Sequence, residues 1–250
     1  DHYRSELMWV EQASVQELRQ TATRWLANGG FTLEVHPFPS YKTSESKVDR
    51  SSGLPVIGAP PSVQFPRLSR VTLSNGLKVI LSERRELPLT YFTLLVDAGF
   101  AADQHEEPGT ATLTSAMLDE GTETRTALEI SNELRGFGSR LSSWSDLDTS
   151  YVELSVLSEF LDPSLDVFSE VITSPAFSKI DFERVKSQQL ARIEREQSSP
   201  EALAQRIFPR LVYGLGHAYG NPFTGTGTTE SVSLIKREDL VGFHSAWVRP

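Results

Sequence analysis

Apolar residues recur along this chain with two periods, each marking a different kind of element. Ser14-Val15-Gln16-Glu17 sets a hydroxyl and a carboxylate three residues apart, so that both satisfy free amides at a helix start. That helix is predicted to run to about Asn28, where Gly29-Gly30 supply a left-handed stop. Phe31 to Val35 alternates as a short strand. Over residues 37–66 proline and serine recur while large apolar residues thin out, which predicts an extended linker with little surface to bury.

A second unit is predicted from Arg67. Val71-Thr72-Leu73 and Leu77 to Leu81 flank Asn75-Gly76, predicting a hairpin with a type I′ turn. The nearly continuous apolar run Thr90–Val96 predicts a central strand covered on both faces. A helix is expected over 109–122, and a second capping box, Thr126 with Glu129, opens another that ends near Gly136-Phe137-Gly138. Val152, Leu154 and Val156 alternate with Tyr151, Glu153 and Ser155 as a half-buried strand. Asp162-Pro163 reads as a cap followed by a first-turn proline, with Ser174-Pro175 at that helix's end. Ser178–Gln197 is a long charged helix with the apolar stripe Phe182, Val185, Leu190 and Ile193. Ser199-Pro200 starts another helix, and a last one covers Arg237–Trp247. Strands and helices come in blocks without regular βαβ alternation. The fold class is therefore α+β, an antiparallel-rich sheet backed by helices on one face.

Composition narrows the chemistry. The 250 residues are 38% hydrophobic, enough for one good core plus an appendage. A net charge of −9, with no Lys/Arg run longer than pairs such as Arg84-Arg85, argues against nucleic acid as partner. No apolar run reaches membrane-spanning length. Cysteine is absent, which excludes disulfides and thiolate chemistry. No two of His2, His36, His105, His217 and His244 share metal-ligand spacing. Gly214-Leu215-Gly216-His217 and Gly225-Thr226-Gly227-Thr228 lack the strand–helix context of a phosphate cradle and read as ordinary loops. Ser115 lies outside any Gly-x-Ser-x-Gly elbow and reads as a packing serine.

The segment Gly109-Thr-Ala-Thr-Leu-Thr-Ser-Ala-Met-Leu-Asp-Glu-Gly-Thr122 carries a resemblance. It is similar to the helix that bears the inverted motif His-x-x-Glu-His in the insulinase/pitrilysin family of zinc peptidases. Gly109, Ala111, Met117, Leu118, Gly121 and Thr122 match the frame, whereas Thr112 and Ala116 stand at the histidine positions and Ser115 at the glutamate. A catalytic zinc needs three imidazole, thiolate or carboxylate ligands and a water, and a hydroxyl with a methyl group cannot replace two imidazoles. The third family ligand, a glutamate about 75 residues on by that resemblance, maps near Ala191–Arg192; Glu194 is the nearest carboxylate and reads as a solvent-facing charge. Ser74 to Val79, Asp97-Ala98-Gly99, Leu134 with Gly138, Asp148-Thr149, Leu161, Leu165, Pro175, Phe177 and the Tyr213-Gly214…His217-Ala218-Tyr219-Gly220 loop extend the resemblance over 67–250.

The resemblance implies a fold like that of mitochondrial-processing-peptidase-type metallopeptidases. It assigns residues 1–36 to the closing helix and strand of a preceding family domain, 37–66 to a linker, and 67–250 to a degenerate domain without zinc. Both ends read as cuts in a longer polypeptide, and the arginine–tyrosine pair of the family's second half would lie past Pro250. The expected function is the non-catalytic half of a zinc metalloendopeptidase, inactive alone, closing a chamber and holding an extended peptide while the other half hydrolyses it. No catalytic, cofactor or metal residue is expected in this chain, and zinc is expected in the partner half. The alternative is a structural or binding module without any part in proteolysis. Bacterial relatives of this shape point to the periplasm.

Overall fold

The computed structural model describes residues 8–27, 29–30, 33–34, 58, 62 and 65–249. The chain divides into two compact units, Asp1–Val63 and Gln64–Pro250. In the first, helix α1 (Val15–Leu26) begins at the predicted capping box: Glu17 N donates to Ser14 Oγ (3.2 Å) and Ser14 N to Glu17 Oε2 (2.9 Å). The helix stops slightly before the predicted Asn28, and Gly29 takes the left-handed conformation (φ 95°). Of the strand predicted over 31–35 only Leu33 and Glu34 are described, and neither is in a strand; most of the stretch 37–66 lies outside the described residues.

The second unit opens with the hairpin β1 (Leu68–Thr72) and β2 (Lys78–Ser82). Its turn corrects the expectation of a type I′ pair. Leu73 N donates to Leu77 O (2.8 Å) and Gly76 N to Leu73 O (2.9 Å), so three residues form the loop and only Gly76 is left-handed (φ 94°). Asn75 instead accepts from Leu77 N through its side chain (3.1 Å), which favours this wider loop over two consecutive positive-φ residues.

A three-stranded antiparallel sheet follows in the order β3 (Leu89–Val96), β5 (Ser150–Leu157), β4 (Arg140–Ser145). The Thr90–Val96 run thus forms an edge strand, not the central one that its apolar continuity suggested. Phe92 and Leu94 turn toward the core, while Tyr91 and Leu95 are 71% and 62% exposed on the opposite face. Periodicity could not expose this, because threonine, tyrosine and leucine on the outer face read as apolar as the inner ones.

On the inner face lie helix α2 (Thr110–Met117), α4 (Leu161–Thr173), α5 (Lys179–Ser198) and α8 (Arg237–Trp247), whose buried Leu113, Met117, Val167, Val171, Phe182, Ile193 and Leu240 meet Val152, Leu154 and Val156 of β5 in one core. Helix α3 (Ala127–Gly136) starts at its predicted capping box; α6 (Pro200–Tyr213) and the short α7 (Thr229–Leu234), which hydrophobic period did not reveal, complete the unit. Asp162 falls inside α4 rather than capping it, since Phe160 holds the cap position.

Two buried acids fix α2. Asp103, within the 3-10 segment Phe100–His105, accepts from Gly109 N (2.7 Å) and Ala111 N (2.9 Å) and so caps the helix from outside. Burial pushes its pKa up to about 7, against the pull of those amides. Glu196, near the end of α5, pairs with Arg206 of α6 (2.8 Å) and accepts from Thr226 Oγ1 (2.7 Å). Arg206 also donates to Thr226 Oγ1 (2.9 Å) and Gly227 O (2.7 Å), which clamps the loop 224–227 in place. At Gly227 (φ 73°) an added Cβ would sit 2.0 Å from Pro108 O, so the loop meets the entrance of α2 backbone to backbone.

Replacing Arg206 by methionine leaves Glu196 buried without its main partner and is expected to destabilise the unit by about 3–5 kcal/mol, read by urea unfolding. Because the folded pKa of Asp103 lies above its ordinary value of 3.8, the native state holds that proton more tightly than the unfolded chain. This group therefore makes stability fall as pH rises from about 4 to 7; Asp103→Asn is expected to flatten that part of the stability–pH curve, measured by denaturation at a series of pH values.

Candidate functional site

Helix α2 is the natural place for a site because its frame residues all have packing work of their own. Gly109 is its N-cap at φ 106°, where a Cβ would lie 2.8 Å from Gln189 Nε2 and 2.9 Å from Thr226 O; only glycine suits both the dihedral and the space. Ala111 is fully buried against Ala98, Phe100 and Phe243, where a larger side chain would overpack the cluster. Met117 and Leu118 enter the main core. Gly121 (φ 129°) turns the chain, its carbonyl accepts from Ala176 N (2.9 Å), and Thr122 Oγ1 accepts from Arg125 N (2.9 Å).

The three positions between these anchors carry other bonds. Thr112 donates to the carbonyl of Gly225 at 2.6 Å. Ala116, four residues on and therefore on the same side of the helix, is half-buried and packs against the core. Ser115 faces the sheet. Its hydroxyl meets Ser145 Oγ (2.8 Å), Ser145 meets Ser150 Oγ (2.6 Å), and Ser150 donates to Ala98 O (2.6 Å). Ser145 Oγ also donates to Ala111 O (3.2 Å), so these hydroxyls link α2 to β4 and β5 through backbone carbonyls at both ends. Ser143 adds a bond to the carbonyl of Ser115 (2.7 Å), so α2 is stitched to β4 by serines.

This arrangement does not fit zinc. A methyl group has no lone pair, the Thr112 hydroxyl is engaged by a backbone carbonyl, and Ser115 is a neutral alcohol directed at the sheet. Among the described residues no group of three or more His, Cys, Asp or Glu could hold a metal ion.

The remaining sequence candidates fall apart in space. Glu194 is exposed on α5. The carboxylate of that helix that does face inward is Glu196, which sequence reasoning passed over; its signal was the spacing of Phe182, Val185, Gln189, Ile193 and Glu196, a buried stripe continued by polar residues. Gln189 was missed in the same way: its amide donates to Gly109 O (3.2 Å) and Thr226 O (2.9 Å). His105 is exposed beside Gln104, and His217 Nδ1 accepts from Tyr219 N (3.0 Å) while its ring stacks on Tyr213. His244 bonds the carbonyl of Ile172 (2.7 Å); His2 and His36 lie outside the described residues. In the Gly225–Thr228 loop the carbonyls of Gly225, Thr226 and Gly227 point inward, toward Thr112, Gln189 and Arg206. An anion cradle needs converging N–H groups, so this loop has the opposite polarity.

Known proteins place these observations. The sequence profile of the insulinase family, peptidase family M16, matches residues 78–226. The beta subunit of the mitochondrial-processing peptidase of Caenorhabditis elegans is 26% identical over 208 residues, 81% of this chain and 42% of that protein. An uncharacterized zinc protease of Rickettsia felis is 25% identical over 68% of this chain and 41% of its own length. The chain thus spans about two fifths of the curated relatives it matches. Among solved structures, a Pseudomonas fluorescens protein described as a peptidase M16 inactive domain superposes with a TM-score of 0.68 at 30% identity, over 72% of this chain and 43% of that one. The periplasmic protease PqqL of Escherichia coli shares the fold, with a TM-score of 0.65 at 18% identity over 76% of this chain and 21% of its own. A helix whose frame is preserved for packing, an antiparallel sheet backed by helices on one face, and a profile match across most of the second unit together place this chain in the insulinase family of M16 peptidases.

Proposed function

We propose that this chain is the non-catalytic half of a two-half zinc endopeptidase. It closes the chamber and holds an extended peptide while the other half, which carries the zinc, performs the hydrolysis. The observation that carries this reading is the commitment of Thr112, Ser115 and Ala116 to hydrogen bonds and packing within an otherwise intact motif frame. The frame preserves the fold, and the side chains that would hold metal or take a proton from water have been exchanged for groups that tie α2 to its neighbours. Resemblance to a protein described as an M16 inactive domain supports the same reading.

On this proposal residues 1–36 close a preceding family domain, 37–66 link the two, and 67–250 form the degenerate domain. Enclosure would select extended chains by size, and a positioned peptide lowers the entropic part of the barrier in the partner's site. The periplasm is the proposed compartment, by analogy with PqqL and against the mitochondrial setting of the processing-peptidase relatives.

After incubation with zinc and desalting, elemental mass spectrometry is expected to find close to no zinc per chain. A ratio near one would overturn the reading. Fluorogenic peptides should survive the purified chain and be cut when a catalytic half is added, faster than by that half alone. An unchanged rate would instead favour a structural module.

A further inference from the structure

A cleft of about 410 Å³ opens on the second unit, and none of the residues at the three motif positions lines it. Helix α3, the first residues of β4 and the turn after α2 line it, and its volume falls within the range of small-ligand pockets, about 300–1000 Å³. One wall is apolar: Ile130 and Leu134 from α3 with Leu141 from β4, the first two buried beneath the surface. Arg135 and Arg140 also line this cleft, and both are exposed. Among the described residues neither has a side-chain hydrogen bond or ion-pair partner, in contrast to Arg125, Arg184, Arg192 and Arg206, which are all paired. The nearest acid along α3, Glu133, is already engaged by Arg125 (2.9 Å). Among the described residues no hydrogen bond or ion pair joins the cleft's own carboxylate, Asp119, to either arginine.

We infer that this cleft binds an organic monocarboxylate with an apolar body, held by Arg135 and Arg140 at its charged end and by Ile130, Leu134 and Leu141 along its side chain. Arginine is suited to this, because its planar fork pairs with a carboxylate through two parallel bonds. The apolar wall disfavours inorganic anions, which gain nothing from it. Asp119 disfavours a second negative charge on the ligand and can accept an N–H, as an amide or amine would offer. Burial raises the pKa of Asp119, as expected of a carboxyl partly withdrawn from solvent. Two sources share this chemistry: the C-terminal residue of a peptide and a free small molecule such as an N-acylated amino acid. The inference does not depend on the peptidase reading, since Thr112, Ser115 and Ala116 do not line the cleft.

The test is calorimetric titration of the protein with N-acetyl-leucine and with N-acetyl-leucinamide, which differ only in the carboxylate. The acid is expected to bind at least about tenfold more tightly than the amide. Arg135→Ala/Arg140→Ala should abolish that preference while leaving the thermal midpoint unchanged, because both side chains are exposed. An acetylated tripeptide ending in a free leucine then separates the sources: tighter binding than N-acetyl-leucine assigns the cleft to peptide C-termini, and equal binding to free carboxylates. Equal affinity for acid and amide, no binding of either, or an unaltered preference in the double variant would each overturn the inference. The acid–amide comparison on the unaltered protein keeps the test independent of whether the variant folds.

Discussion

Moving Glu196 and Arg206 out of water costs several kcal/mol per ion, and their mutual attraction offsets this only where every remaining lone pair and proton finds a partner. Here they do. Arg206 divides its donors between Glu196, Thr224, Thr226 and Gly227, and Glu196 also receives Arg192 and Thr226. The consequence reaches beyond the pair. With loop 224–227 held, Gly225 presents its carbonyl to Thr112, Thr226 presents its own to Gln189, and Gly227 lies against Pro108 at the entrance of α2. The motif helix is therefore positioned by three surfaces: the loop on one side, the serine contacts to β4 on another, and the Asp103 cap at its start.

This architecture gives physical content to the exchange of reactive for unreactive side chains. Imidazoles at 112 and 116 would have to keep their lone pairs free for a metal, and a carboxylate at 115 would need a hydrogen-bonded, partly solvated setting. A threonine and a serine place no such demand. Each supplies a short bond across an interface, and an alanine at 116 allows close packing. On the proposed function, the helix that serves chemistry elsewhere in the family would here serve cohesion between the sheet, α5 and the loop.

Much of this was legible in the chain, and the failures follow a pattern. Capping boxes at Ser14 and Thr126 and the alternation of Val152, Leu154 and Val156 appear where expected, because each depends on atoms a few residues apart. The Asn75-Gly76 turn was placed correctly but typed wrongly: the choice between two and three loop residues depends on how the flanking strands pair. The edge position of β3 escaped notice because apolar content cannot say which face a partner covers. Glu196 and Gln189 escaped because polar residues on a buried stripe look like its solvent side until a partner such as Arg206 or Thr226 is known.

The sequence by itself determined the family frame of α2, the kind and order of most secondary elements in the second unit though not β4 or α7, and which residue types stand at positions 112, 115 and 116. These rest on residue type and short spacing, and both are visible in one dimension. The tertiary structure alone decided which strand lies at the edge, which acid caps the motif helix, and that Arg135 and Arg140 line one cleft without hydrogen-bond or ion-pair partners among the described residues. Each of those depends on contacts between residues distant in the chain or on the absence of a neighbour, and such facts exist only once the chain has folded.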